Sequence, residues 1–315
     1  MRQVAVIGTG LIGRAWALTF ARAGYRVAMA DPAPGAVDAA LGFVEAALAD
    51  LAAQGLLDRS TPAEVRDRIR PAEDIRDALT GVSYVQESAP EQIDVKRAMF
   101  AELDRLAPTN AVIASSTSAL LPSAFTETVP GRARCLVAHP INPPYLVPAV
   151  EIVPAPWTAP ATVEETRRVM IEAGQAPMVL KREIDGFVVN RLQGALLQEA
   201  FRLVADGYAS VEDVDVAIRQ GLALRWSFMG PFETIDLNAP GGVRDYVQRY
   251  AGLYERLFET QRRRVDWTGP VLEAVEVERR ARLAEGQLAA RAVWRDRRLM
   301  ALAAHKRQAE RDIAD

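Results

Sequence analysis

Apolar residues follow two different rhythms along this chain, and the change between them falls near residue 185. Before that point, short apolar runs alternate with longer amphipathic stretches, which predicts β-strands alternating with α-helices. After it, apolar positions recur at helical spacing only. The predicted strands cover residues 2–7, 25–31, 82–88, 111–114, 135–138, 149–153 and 176–181.

This order of elements predicts an α/β fold, with an N-terminal Rossmann-type doubly wound sheet followed by an all-helical C-terminal domain. A chain of 315 residues is long enough for two domains. We place the boundary at Asp185-Gly186, which gives domains 1–185 and 186–315. Helices are predicted over residues 36–58, 93–106, 162–173 and 211–220, from Pro231 onward, and in the tail from Glu273. Residues 61–78 are predicted to be helical as two pieces, a hairpin partner and a helix that leads back to the sheet.

A glycine-rich turn follows the first predicted strand and opens a helix. Gly8, Gly10 and Gly13 stand in G-x-G-x-x-G register, and the second strand ends in Asp31. Strand, turn, helix, strand and acid together predict a dinucleotide site, with the pyrophosphate on backbone N–H groups at the helix start, including Leu11 and Ile12. An acid in that place accepts from the adenosine ribose and repels a 2′-phosphate, so NAD is favoured over NADP.

The stretch CLVAHPINPPYLVPAVEIVP, residues 135–154, contains His139 and Glu151. Two strands joined by its Pro-rich loop can bring the imidazole and the carboxylate side by side. A carboxylate on one ring nitrogen fixes the tautomer and leaves the other nitrogen as a base near neutral pH. The alternative is a core histidine bonded to the backbone.

Other polar residues are predicted at the carboxyl ends of the same strands, where ligands lie in doubly wound sheets. They are Glu87, Glu91 and the hydroxyl-rich loop from Ser115 to Ser118. Their convergence with His139 favours an active site over a structural histidine.

Composition narrows the range of partners. A formal net charge of −3 gives no reason to expect nucleic acid or an anionic membrane as a partner. A single cysteine, Cys135, makes no internal disulfide, and no apolar run approaches the length of a membrane span. We therefore predict a cytoplasmic protein with no membrane partner and no metal site.

Several long stretches resemble the L-3-hydroxyacyl-CoA dehydrogenase superfamily, and within it the L-gulonate 3-dehydrogenase/lambda-crystallin branch. They are VAVIGTGLIGRAWA, VQESAPEQIDVK, ASSTSALLPS, VAHPINPPYLVPAVEIVP, KREIDGFVVNRLQ, GLALRWSFMGPFETIDLN and WRDRRLMALAAHKR. The resemblance implies NAD as the cofactor and a homodimer formed through the helical domain.

The resemblance also implies site residues. The catalytic set falls on His139, Glu151, Ser118 and Asn190, and the acid and lysine flanking the cofactor and substrate region on Glu91 and Lys96. Ser118 is expected near both cofactor and substrate. One departure is Ser116, where hydroxyacyl-CoA enzymes typically carry Asn.

The substrate is predicted from charge. Residues 36–58 hold four acids and neither Lys nor Arg, which does not suit the phosphates of an acyl-CoA. We therefore predict a small L-3-hydroxy acid similar to L-gulonate, its carboxylate bound by Arg191 or Arg225. A carnitine dehydrogenase, a hydroxyacyl-CoA dehydrogenase and an idle, crystallin-like NAD-binding protein remain alternatives.

Overall fold

The computed structural model describes residues 2–58 and 60–313. Within these ranges the chain forms one eight-stranded sheet. Its strands are β1 (Gln3–Ile7), β2 (Arg26–Ala30), β3 (Ile69–Pro71), β4 (Tyr84–Glu87), β5 (Val112–Ser115), β6 (Cys135–Pro140), β7 (Ala149–Pro154) and β8 (Ala176–Val179).

The sheet runs in the order β3-β2-β1-β4-β5-β6-β7-β8, and neighbouring strands are parallel except for β6 and β7. This order reverses between β1 and β4, which is the switch point where such sheets bind ligands. Every residue of β4, β5 and β6 is buried, as expected for parallel strands covered on both faces. The predicted α/β class is confirmed.

Helices cover the sheet and connect its strands. They are α1 (Leu11–Arg22), α2 (Ala36–Ala53), α3 (Pro62–Arg66), α4 (Ile75–Ala78), α5 (Ile93–Leu106), α6 (Pro122–Thr126) and α7 (Pro160–Glu172). Two apolar clusters form. One contains Trp16, Phe20 and Tyr84, and the other contains Phe100 and Phe125. The sheet is therefore packed on both faces.

The stretch predicted to be helical over residues 61–78 contains two helices, as expected, but a strand that was not predicted lies between them. The structure has α3, then the edge strand β3, then α4. Thr61 caps α3 through a capping box with Glu64, and Asp74 caps α4, so each short helix has its own start signal. The helix predicted over 36–58 ends earlier, at Ala53, and is followed by Gly55 at φ 65°.

The part of the chain beyond β8 is helical, as predicted. Its helices are α8 (Val189–Ala205), α9 (Val211–Val216), α10 (Ala223–Trp226), α11 (Pro231–Leu237), α12 (Gly242–Gln261), α13 (Pro270–Arg282) and α14 (Leu288–Asp312). The helix predicted over 211–220 is α9, and a π-helix, Ala217–Leu222, continues from it. None of the described helices is long and apolar enough to cross a membrane.

By proximity of Cα atoms the chain forms two compact units. The first comprises Met1–Val188 and Arg291–Asp315, and the second comprises Val189–Ala290. The domain prediction of 1–185 and 186–315 therefore differs from these units in its last segment, because α14 returns to the first unit. There Met300 is buried in the core, Arg297 pairs with Asp50, and Asp296 accepts a hydrogen bond from Tyr145.

Candidate active site

His139 and Glu151 face each other across the antiparallel pair β6 and β7. The two residues are direct partners in the strand register, and His139 Nδ1 lies 2.8 Å from Glu151 Oε2. The histidine is 4% exposed and the glutamate 0%. Because side chains alternate between faces along a strand, a shift of one residue would separate the pair. The predicted juxtaposition is present.

The second oxygen of Glu151 is also engaged. Glu151 Oε1 accepts a hydrogen bond from the backbone N–H of Val188 at 2.7 Å. With one oxygen held by this N–H, the other is directed at the imidazole. The described residues give the His139 ring a single hydrogen bond, at Nδ1. The arrangement can therefore hold a proton on Nδ1 and leave Nε2 to act as a base.

Glu91 organises the hydroxyl-rich loop that follows β5. Its Oε1 accepts from the hydroxyl of Thr117 and from the backbone N–H groups of Ser118 and Ala119, each 3.1 Å away. The Thr117 hydroxyl in turn accepts from the N–H of Leu120 at 3.0 Å. A carboxylate shared among these donors fixes the backbone beside Ser118, whose side chain is exposed.

Lys96 forms a fully buried ion pair with Glu87, at the end of β4. Its ammonium donates to both Glu87 oxygens, at 2.8 and 2.9 Å, and to the carbonyl of Ala89 at 2.9 Å. Ser115 donates to the same carboxylate at 2.7 Å. All three ammonium donors are therefore directed at protein atoms. The prediction that Lys96 contacts a ligand stays a prediction.

Ser116, the departure from the resembling enzymes, belongs to a buried hydrogen-bond chain. Gln86 Nε2 donates to Ser116 Oγ at 2.7 Å and to the carbonyl of Ala138 at 3.3 Å, beside His139. The Tyr84 hydroxyl donates to the side-chain oxygen Oε1 of Gln86. Gln86 thus links β4 to Ser116, directly after β5, and to the backbone of β6.

The glycine turn fits a dinucleotide. Gly8 has φ 87°, and an added Cβ would lie 2.7 Å from the backbone of Ser88. At Gly13 a Cβ would lie 1.8 Å from the Gly8 carbonyl, whereas Gly10 faces open space. Within the described chain no side chain caps α1. Its first N–H groups, those of Leu11 and Ile12 among them, therefore remain available to a pyrophosphate.

Asp31 lies at the carboxyl end of β2 and closes this turn. Its Oδ2 accepts from the backbone N–H of Thr9 at 2.6 Å and from the Thr9 hydroxyl at 3.1 Å, while Oδ1 accepts from Ala33 N–H. The acid is half-buried and held beside the glycine turn, in the position expected of a ribose ligand.

Three predicted residues belong to the second unit. Asn190 and Arg191 lie in the first turn of α8. Arg225 lies in α10 and donates to the side-chain oxygen of Asn238 at 3.2 Å. The roles given to these residues, and to Ser118, stay predictions.

The environment of Cys135 contrasts with that of His139 on the same strand. Burial raises the pKa of the Cys135 thiol to about 12, and the nearby Asp104 adds to this effect. A thiol in this state is not a nucleophile at neutral pH, which leaves His139 as the candidate for chemistry on β6.

Two contributors to the site escaped the sequence reasoning. Val188 acts through its backbone N–H, which no side-chain pattern reveals. Phe187, in the preceding position, has its ring centroid 5.6 Å from that of His139. Glu87, expected near the site, was not recognised as the partner of Lys96. A scarce lysine on the apolar face of α5 was the available signal.

The fold and the glycine turn define an NAD-binding oxidoreductase, and family models agree. Residues 3–184 match the 3-hydroxyacyl-CoA dehydrogenase NAD binding domain, and residues 186–282 match the C-terminal domain of the same enzymes. The chain belongs to the 3-hydroxyacyl-CoA dehydrogenase family. It is an NAD-dependent oxidoreductase of that family.

Individual relatives place it in the lambda-crystallin branch. It is 44% identical to the lambda-crystallin homolog of Bos taurus over 97% of this chain and 96% of the relative. The L-carnitine dehydrogenase of Streptomyces griseus is 39% identical over 79% and 74% of the two chains. A solved structure of FHMPC 5-dehydrogenase, described as an NAD+ dependent dismutase, superposes with a TM-score of 0.82 at 28% identity, over 96% and 97% of the two chains.

Proposed function

We propose that the protein oxidises the 3-hydroxyl of a small L-3-hydroxy acid, similar to L-gulonate, to the corresponding 3-keto acid. The observation that carries this proposal is the buried pair of His139 and Glu151, whose atoms lie 2.8 Å apart at the carboxyl edge of an NAD-binding sheet. An imidazole oriented by a carboxylate is suited to removing an alcohol proton.

In the proposed mechanism, NAD supplies the acceptor for the hydride that leaves C3 of the substrate. His139 Nε2 removes the proton of the 3-hydroxyl as the C–H bond breaks, and the C–O bond becomes a carbonyl. Glu151 keeps the other proton on Nδ1 and stabilises the imidazolium that forms. Ser118 and Asn190 hold the oxygen by hydrogen bonds. Acid–base assistance of this kind contributes about two to four orders of magnitude in rate.

The cofactor contacts assigned by the proposal follow the glycine turn. Gly8, Gly10 and Gly13 bring the backbone close to the pyrophosphate, and the N–H groups of Leu11 and Ile12 bind it. Asp31 accepts from the adenosine ribose. Glu91 and Lys96 complete the set through the loops they hold, those after β5 and β4 respectively.

A substrate without CoA is favoured by the charges on α2 and the turn after it. Three of the four acids of residues 36–58 have arginine partners from elsewhere in the first unit. Asp50 pairs with Arg297 at 3.0 Å, and Asp58 pairs with Arg307 at 3.0 Å. Each guanidinium is bound by a carboxylate of this region, which leaves the local charge balanced and supports a small acid. Arg191 or Arg225 is assigned to its carboxylate.

One assay separates the candidates. NADH absorbance is followed after mixing the protein and NAD with L-gulonate, L-carnitine, 3-hydroxybutyrate or 3-hydroxybutyryl-CoA. We expect the largest kcat/KM with L-gulonate and a much smaller value with the CoA thioester. A preference for 3-hydroxybutyryl-CoA would replace the proposal with an acyl-CoA dehydrogenase. Preference for carnitine would replace it with the activity named for the Streptomyces relative. No NADH with any of the four acids or esters would favour a crystallin-like role.

We also propose a homodimer formed through the helical unit. Many large apolar side chains of this unit are exposed in the single chain, among them Leu192, Phe228, Phe232 and Leu237. Exposed apolar surface of this kind is typical of a subunit interface. Light scattering on a size-exclusion column is expected to give twice the chain mass, and Phe232→Asp to shift it towards the monomer. A monomeric wild type would contradict the proposal.

A further inference from the structure

Phe187 has a backbone conformation that its side chain disfavours. Its φ is 48°, and Asp58 is the one other non-glycine residue with positive φ among residues 2–58 and 60–313. Asp tolerates this region because its short side chain bonds locally, whereas a bulky aromatic residue does so at a cost. Such strain persists where the surroundings enforce it, and it concentrates at functional sites.

The surroundings of Phe187 enforce its strained backbone conformation by burying the side chain. The side chain is 0% exposed and belongs to the apolar cluster that contains Val137 and Val153. Those residues stand two positions from His139 and Glu151 on β6 and β7. They therefore share a sheet face with this pair, the His139–Glu151 dyad. The ring is thus anchored in the apolar cluster on the dyad's own side of the sheet, and it lies against the imidazole at an interplanar angle of 54°.

The strained backbone has a geometric result. A turn closes where the N–H of Phe187 donates to the carbonyl of Ile184 at 3.0 Å, with Gly186 also at positive φ, 74°. The next N–H, that of Val188, then points at Glu151 Oε1 at 2.7 Å. An extended backbone at Phe187 would direct this N–H elsewhere, and Glu151 Oε1 would lose this hydrogen bond.

We propose that Phe187 is a positioning residue for the dyad, acting in two ways. Its buried ring covers one side of the imidazole, and its left-handed backbone delivers the Val188 N–H to Glu151. The carboxylate is then fixed at both oxygens and the imidazole is fixed against it. This inference rests on the proposed function, because it assigns the residue a part in the proton transfer of His139.

The first test needs no substrate. The chain has two histidines, His139 and His305, so a protein labelled with ¹⁵N-histidine gives a simple spectrum. We expect wild type to show a downfield imidazole N–H signal from the His139 bond to Glu151. In Phe187→Leu its exchange with water should be at least about tenfold faster, because the covering ring is gone. The control is Phe125→Leu, which makes the same change in the same apolar cluster and should keep the signal.

Turnover gives the second test. With L-gulonate and NAD, Phe187→Leu should lower kcat about tenfold and leave KM within about twofold, since an interaction made in the transition state is weakened. The deuterium isotope effect at C3 should rise as chemistry becomes slower. A fall in kcat caused by partial unfolding would leave the isotope effect unchanged. Phe125→Leu should leave both kcat and the isotope effect near wild type.

The backbone part is tested by Phe187→Gly and Phe187→Ala. Both variants lack the ring, but glycine adopts positive φ without strain and alanine does not. We expect the glycine variant to keep the higher kcat and the slower exchange of the Val188 amide. Equal values would overturn the backbone part.

An unchanged N–H signal in Phe187→Leu, or its equal loss in Phe125→Leu, would overturn the role of the ring whether or not L-gulonate is the substrate.

Discussion

Two buried acid–base pairs lie towards the carboxyl ends of β4 and β6, which are separated in the sheet by β5, and they differ in one respect. Lys96 and Glu87 are 1% and 0% exposed, and the ammonium uses every donor on protein atoms. His139 and Glu151 are also buried, but the imidazole makes one hydrogen bond with the described residues, at Nδ1. The first pair is complete in itself, and the second retains an unused ring nitrogen.

The difference shows that burial of ionisable groups does not by itself identify a catalytic site. A buried ion pair with all its hydrogen bonds made fixes the local structure, and here it holds the loop that lies against Gly8. A pair with capacity left over is able to accept a substrate proton. Substitutions in the first pair should therefore act on folding, and those in the second on turnover.

The largest effect is expected from breaking the complete pair. Lys96→Met leaves Glu87 buried without its cation, which should lower the free energy of unfolding by about 3–5 kcal/mol. Urea denaturation of wild type and variant measures this difference in the free energy of unfolding. The double variant Lys96→Met/Glu87→Gln should recover part of the loss. A loss below about 1 kcal/mol, together with weaker NAD binding, would instead make Lys96 a ligand contact.

Removing the imidazole should act on turnover alone. His139→Ala is expected to lower kcat at least about a hundredfold, while NAD binding, followed by fluorescence titration, persists. His305→Ala is the matched control, because this exposed histidine lies in α14. Turnover near the wild-type value in His139→Ala would remove the basis of the proposed mechanism.

A smaller loss is expected from Glu151→Gln. The Val188 N–H requires an acceptor, so the amide oxygen should take that side and the amide nitrogen should face His139 Nδ1. An N–H donor there places the ring proton on Nε2, where the base is needed. We expect kcat to fall about 10- to 100-fold. Steady-state kinetics, with urea denaturation to verify folding, decide this, and an unchanged kcat would show that the tautomer is set by another group.

The smallest effect is expected at Cys135, the buried first residue of β6. Because burial raises the pKa of Cys135 to about 12, the native thiol should not react with a disulfide reagent at about pH 9, where an exposed thiol does. The folded chain keeps a proton that the unfolded thiol loses, so this group's contribution to stability falls as pH rises from about 9 to about 12. Rapid labelling of the native protein would show that β6 opens readily.

The sequence predicted the large elements well because their signals extend over many residues. The strands of the sheet other than β3 have apolar runs, and the glycine turn has fixed spacing. Strand β3 has three residues, pairs only with β2, and lies in a charged stretch, so no periodicity reveals it. The return of α14 to the first unit depends on distant contacts such as Arg297 with Asp50.

The pairing of His139 with Glu151 was predicted from the sequence, whereas the backbone contacts of this pair were missed. His139 and Glu151 have a spacing that a hairpin can satisfy, and the register of β6 and β7 satisfies it. The positive φ of Phe187 has no local cause in the sequence, since aromatic residues favour extended structure. It depends on burial in a cluster drawn from the whole sheet, and burial of that kind becomes visible only after folding.

The return of α14 has a consequence for how the protein is made. The NAD-binding unit includes residues from both sides of the helical unit, so Met300 cannot fill its place in the core until the helical segment has been synthesised. During translation the nascent sheet is left with an open apolar patch while roughly a hundred residues emerge, for several seconds at ribosomal speed. Chaperone occupancy should therefore be highest in that interval and fall once the final helix clears the exit tunnel.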